Sequence, residues 1–96
     1  MILELATQSK FPEQVVKDIV QAALRNEAEM ARLRYEQFTK ECLAFEQQFQ
    51  ITTEQFLTQY EAGELGDAEE YIDWFASARG RQVWQQKATV LGEVVA

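Results

Sequence analysis

The sequence predicts an all-α fold: one long helix, a short middle helix and a returning third helix. Three observations carry that prediction. Between Pro12 and Gly63 there is neither proline nor glycine, so nothing in that stretch forces a helix to stop. Within it Leu24, Ala28, Ala31, Tyr35, Phe38, Cys42, Phe45 and Phe49 step by alternating four and three, which is a sustained heptad seam that needs a partner helix along its length. Capping residues then recur where helices should start and stop.

Taken in order, Ile2, Leu3 and Leu5 alternate with Glu4 and read as an arm or a short strand over residues 1–11. Pro12, with its fixed φ, suits the first position of a long helix over 12–49, with Ser9, Lys10 and Phe11 leading into it. A second reading breaks that helix near Asn26, because Asn26 followed three residues later by Glu29 also has the spacing of a helix start. Ile51 to Thr53 form a joint. Thr52 with Gln55 has capping-box spacing and opens a short helix over 54–62, with Phe56, Leu57 and Tyr60 as its apolar residues. Gly63 is the expected left-handed stop, and Leu65 should tuck inward after it. Asp67 with Glu70 makes an acidic variant of the capping box for a third helix over 68–91, ended by Gly92 with a frayed tail. That helix carries Tyr71, Trp74, Phe75, Ala78, Trp84, Ala88 and Leu91 on one face. Gly80 inside it implies either close packing or a weak point.

Composition narrows the function classes. At 96 residues the chain is one domain, able to bury no more than about 60–65% of its unfolded surface, so a partner or a second copy is expected to complete the core. The net charge of −7 argues against binding nucleic acid through phosphates and makes a basic partner more natural. The chain has no histidine, hence no ordinary general base, zinc ligand or neutral-pH switch. Its single cysteine, Cys42, cannot form an internal disulfide and fits a reduced, cytoplasmic setting. No basic leader precedes an apolar run and no long apolar stretch occurs, so neither secretion nor a membrane span is expected. With no phosphate loop, nucleophile elbow or paired-carboxylate cleft, the expectation is a non-enzyme with no cofactor and no catalytic residue.

The segment YEAGELGDAEEYIDW, Tyr60 to Trp74, concentrates what functional signal there is. Glu61, Glu64, Asp67, Glu69, Glu70 and Asp73 stand there with no Lys or Arg from 61 to 78. The spacing is not that of a calcium loop or a di-iron bundle, so no metal is assigned. Two readings remain: solvated charge that opposes the positive end of a helix dipole, or an acidic docking patch for a basic protein. Tyr71, Trp74 and Phe75 beside the acids are residue types that dominate interfaces, and equally types that fill the core of a small bundle. The candidate partner-binding set is Glu61, Glu64, Leu65, Asp67, Glu70, Tyr71, Asp73, Trp74 and Phe75. The basic groups are Arg25, Arg32 and Arg34 on the long helix and Arg79 and Arg81 around Gly80.

The run from Arg34 to Trp74 resembles the core of short helical antitoxins encoded next to compact toxins in bacterial and archaeal genomes. The likeness rests on Phe45, Glu46 and Phe49 closing a long helix, Glu54 and Phe56 in a short one, the Gly63, Glu64, Leu65, Gly66, Asp67 loop, and the acidic, aromatic Glu70, Tyr71, Asp73 and Trp74. It covers a little under half the chain; Gln48, Gln50 and Gly80 depart from the pattern. The resemblance implies a stoichiometric mechanism in which the acidic, aromatic segment covers a small basic toxin's active or RNA-binding surface. Two rival expectations stand beside it. One is a structural homo-oligomer joined along the heptad seam. The other is a DNA-binding autoregulator that turns Lys10, Lys17 and Arg25 of its N-terminal region toward phosphates.

Overall fold

The computed structural model describes residues 11–95, and these form an all-α hairpin with a third, short helix at its closed end. Helix α1 spans Glu13–Phe49, α2 spans Thr53–Glu61 and α3 spans Glu69–Val95. The arm or strand expected at the N-terminus lies, apart from Phe11, outside the described residues.

Helix α1 starts one residue after the expected proline. Pro12 is its N-cap, with φ −54° and ψ 129°, and the Pro12 carbonyl accepts the Val16 amide at 3.2 Å. The helix is continuous for 37 residues, so the break considered near Asn26 does not occur. The reason is tertiary: the seam residues Leu24, Ala28 and Ala31 continue across that point, half-buried or buried, and packing along the seam outweighs a local capping signal. At its other end α1 stops on Gln50, a non-glycine residue at φ 60°.

Helix α3 returns antiparallel to α1. Phe45 and Phe49 lie on Trp74, Glu41 meets Ser77, and Gln21 reaches the Val95 carbonyl, so α1 numbers rise as α3 numbers fall. The apolar face expected of α3 is its packed face: Trp74 and Ala78 are buried, and Tyr71, Phe75, Trp84, Ala88 and Leu91 half-buried. Gly80 resolves as close packing, since a Cβ there would come within 2.6 Å of the Phe38 ring. Gly92 does not end the helix, which continues to Val95. A glycine stops a helix only where the chain must turn left-handed, and here nothing reverses it.

The hairpin measures 59 × 21 × 20 Å. Because Gln21 is level with Val95, the first two turns of α1 run past the end of α3. The fully buried cluster of Cys42, Phe56, Trp74 and Ala78 sits at the other end, where all three helices meet.

Candidate functional site

The closed end is built by three local devices. Thr52 and Gln55 form the expected capping box: the Gln55 amide donates to Thr52 Oγ1 at 3.1 Å and the Thr52 amide to Gln55 Oε1 at 3.0 Å. α2 ends as Gly63 takes φ +76°; the Glu64 amide donates to the Gln59 carbonyl and the Gly63 amide to the Tyr60 carbonyl, both at 3.0 Å, which is the paired bonding of a Schellman stop. Gly66, at φ +81°, makes a second left-handed turn, and Leu65 between the glycines packs against the core. The start of α3 differs from expectation. The Ala68 carbonyl accepts the Tyr71 and Ile72 amides at 3.0 and 3.1 Å, and neither Asp67 nor Glu70 closes a side-chain bond on the helix start. With the amides ahead of Tyr71 exposed to water, the carboxylates stay solvated near the positive end of the helix.

Beneath this loop lies a stack of rings. Trp74 is 0% exposed and lies 4.0 Å from Phe56, centroid to centroid, with the rings 6° from parallel; Phe49 and Phe45 lie at 5.5 and 5.6 Å. Tyr71 tilts against Phe49 at 5.4 Å, and Phe75 against Tyr60 at 5.1 Å. One polar thread crosses the interior. Trp74 Nε1 donates to Thr53 Oγ1 at 3.1 Å, Thr53 Oγ1 donates to Glu46 Oε2 at 2.7 Å, and the Thr53 amide donates to the same oxygen at 2.9 Å. Every polar atom of the buried Thr53 side chain and the Trp74 indole is thereby satisfied, and one side chain from each helix joins in fixing the angle between them.

The thread decides between the two readings of the aromatics. Trp74 belongs to the core, with its single donor spent internally, and it is not a surface anchor for a partner. Tyr71, Phe75 and Leu65 are half-buried, each with its inner side on the core. Glu61, Glu64, Asp67, Glu70 and Asp73 are exposed, and none of them makes an ion pair in the described residues. The candidate set therefore divides into an acidic rim and an aromatic floor.

The charge distribution is more polarised than the loop suggests. Seven of the sixteen acidic residues and none of the nine basic ones lie between Glu54 and Asp73, so this end carries the whole net charge of −7 and the rest of the chain is neutral. Among the described residues the one ion pair at this end joins Arg81 to Glu54 at 3.7 Å. Among the described residues no three metal-ligating side chains converge, so the carboxylates form a diffuse field rather than a chelating cage. Arg79 lies over Phe75 at 5.3 Å, on the flank of the aromatic floor, whereas Lys87 with Arg34 of α1 lies away from this end, over Trp84 at 4.4 and 4.5 Å. Cys42 is enclosed behind the ring stack, and burial pushes its thiol above the ordinary value, Arg81 acting in the opposite direction. It is a small hydrophobe there, not a poised nucleophile.

Sequence reading missed the Glu46–Thr53 pair as a structural unit. The available signal was a carboxylate next to two seam phenylalanines, followed by a Thr that is not needed for the adjoining cap. Compared with known protein families, with curated proteins and with solved structures, the chain matches none. No helix among the described residues is long and apolar enough to cross a membrane.

Proposed function

We propose that this chain is an antitoxin-like protein that works stoichiometrically in the cytoplasm, covering the basic active or RNA-binding surface of a small toxin with its acidic closed end. One observation carries the reading: the seven carboxylates that account for the net charge stand exposed at the closed end, on α2, the loop and the start of α3, all but Glu54 without an ion pair in the described residues, above a buried ring stack. A field of that kind steers a basic partner into one orientation, and a prefixed platform loses little entropy when it docks. Phosphate mimicry needs carboxylates that face water, as Glu61, Glu64, Asp67, Glu70 and Asp73 do, and the half-buried Leu65, Tyr71 and Phe75 add apolar edges between them.

The test is growth of cells expressing the neighbouring small reading frame, with and without this protein supplied from a second promoter. The reading expects toxicity from the neighbour alone, rescue by the native chain, and loss of rescue when Glu64, Asp67 and Glu70 are changed together to Lys while helicity and melting are retained. A harmless neighbour, or undiminished rescue by the charge-reversed chain, removes it.

A further inference from the structure

We propose that the outward face of α1 is a self-association surface, on which a second copy of this chain packs antiparallel about a two-fold axis near Ala22 and Ala23. Val15, Ile19, Ala22, Asn26, Met30 and Leu33 follow one another at steps of four, three, four, four and three, and so share one face of α1. That face is turned away from α3: Val15 is 50% exposed, Ile19 65%, Met30 40% and Leu33 45%. Nothing in the described chain covers it.

Three features name a second copy as the occupant. The first is size. The chain exposes 7079 Å², whereas a compact monomer of 11.1 kDa exposes about 5,700 Å². The stripe from Val15 to Leu33 itself runs about 27 Å along α1, a length that the same stripe of a second copy matches. The second is self-complementarity of the stripe. In an antiparallel register Val15 meets Met30, Ile19 meets Asn26 and Ala22 meets Ala23 of the other copy, so large residues meet at the ends and small ones at the crossing, where the helices approach most closely. The third is charge. Asp18 and Arg25 flank the stripe on one side, and Arg25 has no ion pair within its own described chain. The same register brings Asp18 of each copy within one turn of Arg25 of the other, twice by symmetry. A basic protein, by contrast, finds no acidic excess on this face, since Glu29 and Glu36 are both bridged by Arg32.

Such a pairing leaves the closed ends free and points them in opposite directions. From the crossing to Phe49 each arm of α1 runs about 40 Å, which sets the two acidic ends about 80 Å apart. The dimer is then bivalent, holding two partners without contact between them. The inference stands independently of what the acidic end binds, because it is read on the isolated protein.

Sedimentation equilibrium of the full-length chain over a dilution series tests it, together with the Ile19→Glu variant and two single-cysteine additions. The expected results are a dimer, a dissociation constant raised about tenfold or more by Ile19→Glu with helicity unchanged, and a disulfide-linked dimer from Ala22→Cys but not from Leu33→Cys; the native chain, whose Cys42 is buried, is the control. A native chain that stays monomeric at every concentration overturns the proposal. So does a dimer indifferent to Ile19→Glu, or one that cross-links readily through Leu33→Cys, the mark of a parallel pairing.

Discussion

The two ends of this hairpin are made by the same two long helices, yet they solve the burial problem differently. At the closed end α2 adds a third wall, and Phe45, Phe49, Phe56 and Trp74 enclose one another around a satisfied polar thread. At the open end α1 meets only α3. Among the described residues Ala31 alone is fully buried there, while Val15, Ile19, Met30, Leu33, Val90 and Val94 stay 40% exposed or more. Two helices can shield one stripe each, and a rod about 20 Å across has no interior beyond it. A nine-residue helix therefore decides where this molecule is rigid.

That contrast is open to being broken, most severely at Trp74. Replacing it with Ala opens a cavity bordered by three phenylalanines and leaves Thr53 Oγ1 with Glu46 as its one partner; the expected loss is about 3–5 kcal/mol in denaturant unfolding, whereas Val90→Ala at the open end should stay within about 0.5 kcal/mol. Equal losses at the two sites would show that the ends are alike. Thr53→Val keeps the shape but removes the hydroxyl that links Trp74 Nε1 to Glu46, leaving a buried indole donor unpaired. It should cost about 1–3 kcal/mol by the same measurement, and a neutral result would show that the thread is incidental.

Two smaller changes sharpen the picture. Gly80→Ala places a methyl against the Phe38 ring, and the overpacking should outweigh the gain in helix propensity, for a net loss of about 1 kcal/mol; a rise in melting temperature would mean that Phe38 swings aside. Gln50→Gly should instead raise stability by about 0.5–1 kcal/mol, because Gln50 sits at φ 60°, where only glycine is unstrained. The smallest effect is one of pH. The Cys42 thiol is held above its ordinary value by burial, so the stability it contributes is fully present below the unfolded thiol value and is lost as the pH rises through the folded one. Unfolding followed on the alkaline side should show that decline in the native chain and less of it in Cys42→Ala.

Much of this organisation is legible in the sequence, and the failures have a common cause. The seam from Leu24 to Phe49, the Thr52–Gln55 box, the stop at Gly63 and the buried face of α3 are all local or periodic patterns, and the structure realises each of them. Asn26, Asp67 and Gly92 mislead because each carries a local signal that a neighbour overrides: the continuing seam at Asn26, the Ala68 carbonyl ahead of Asp67's cap, and uninterrupted helix at Gly92. Gln50 gives no sign of its left-handed backbone, for glycine is the usual residue there. Of the candidate site, the acidic residues read correctly as exposed. The place of Trp74 required knowing that Thr53, 21 residues earlier, would receive its indole N–H, and no periodicity reports a contact that joins separate helices.

The most direct test of the difference between the ends is amide hydrogen exchange on the intact chain, at a concentration low enough for it to be monomeric. The account predicts that amides of residues 42–60 and 71–81 exchange only through global unfolding, while those of 13–24 and 88–95 exchange through local opening at much lower free energy. Uniform protection along both long helices would contradict it, since the third helix and its ring stack would then add nothing to the rigidity of the end that displays the charge.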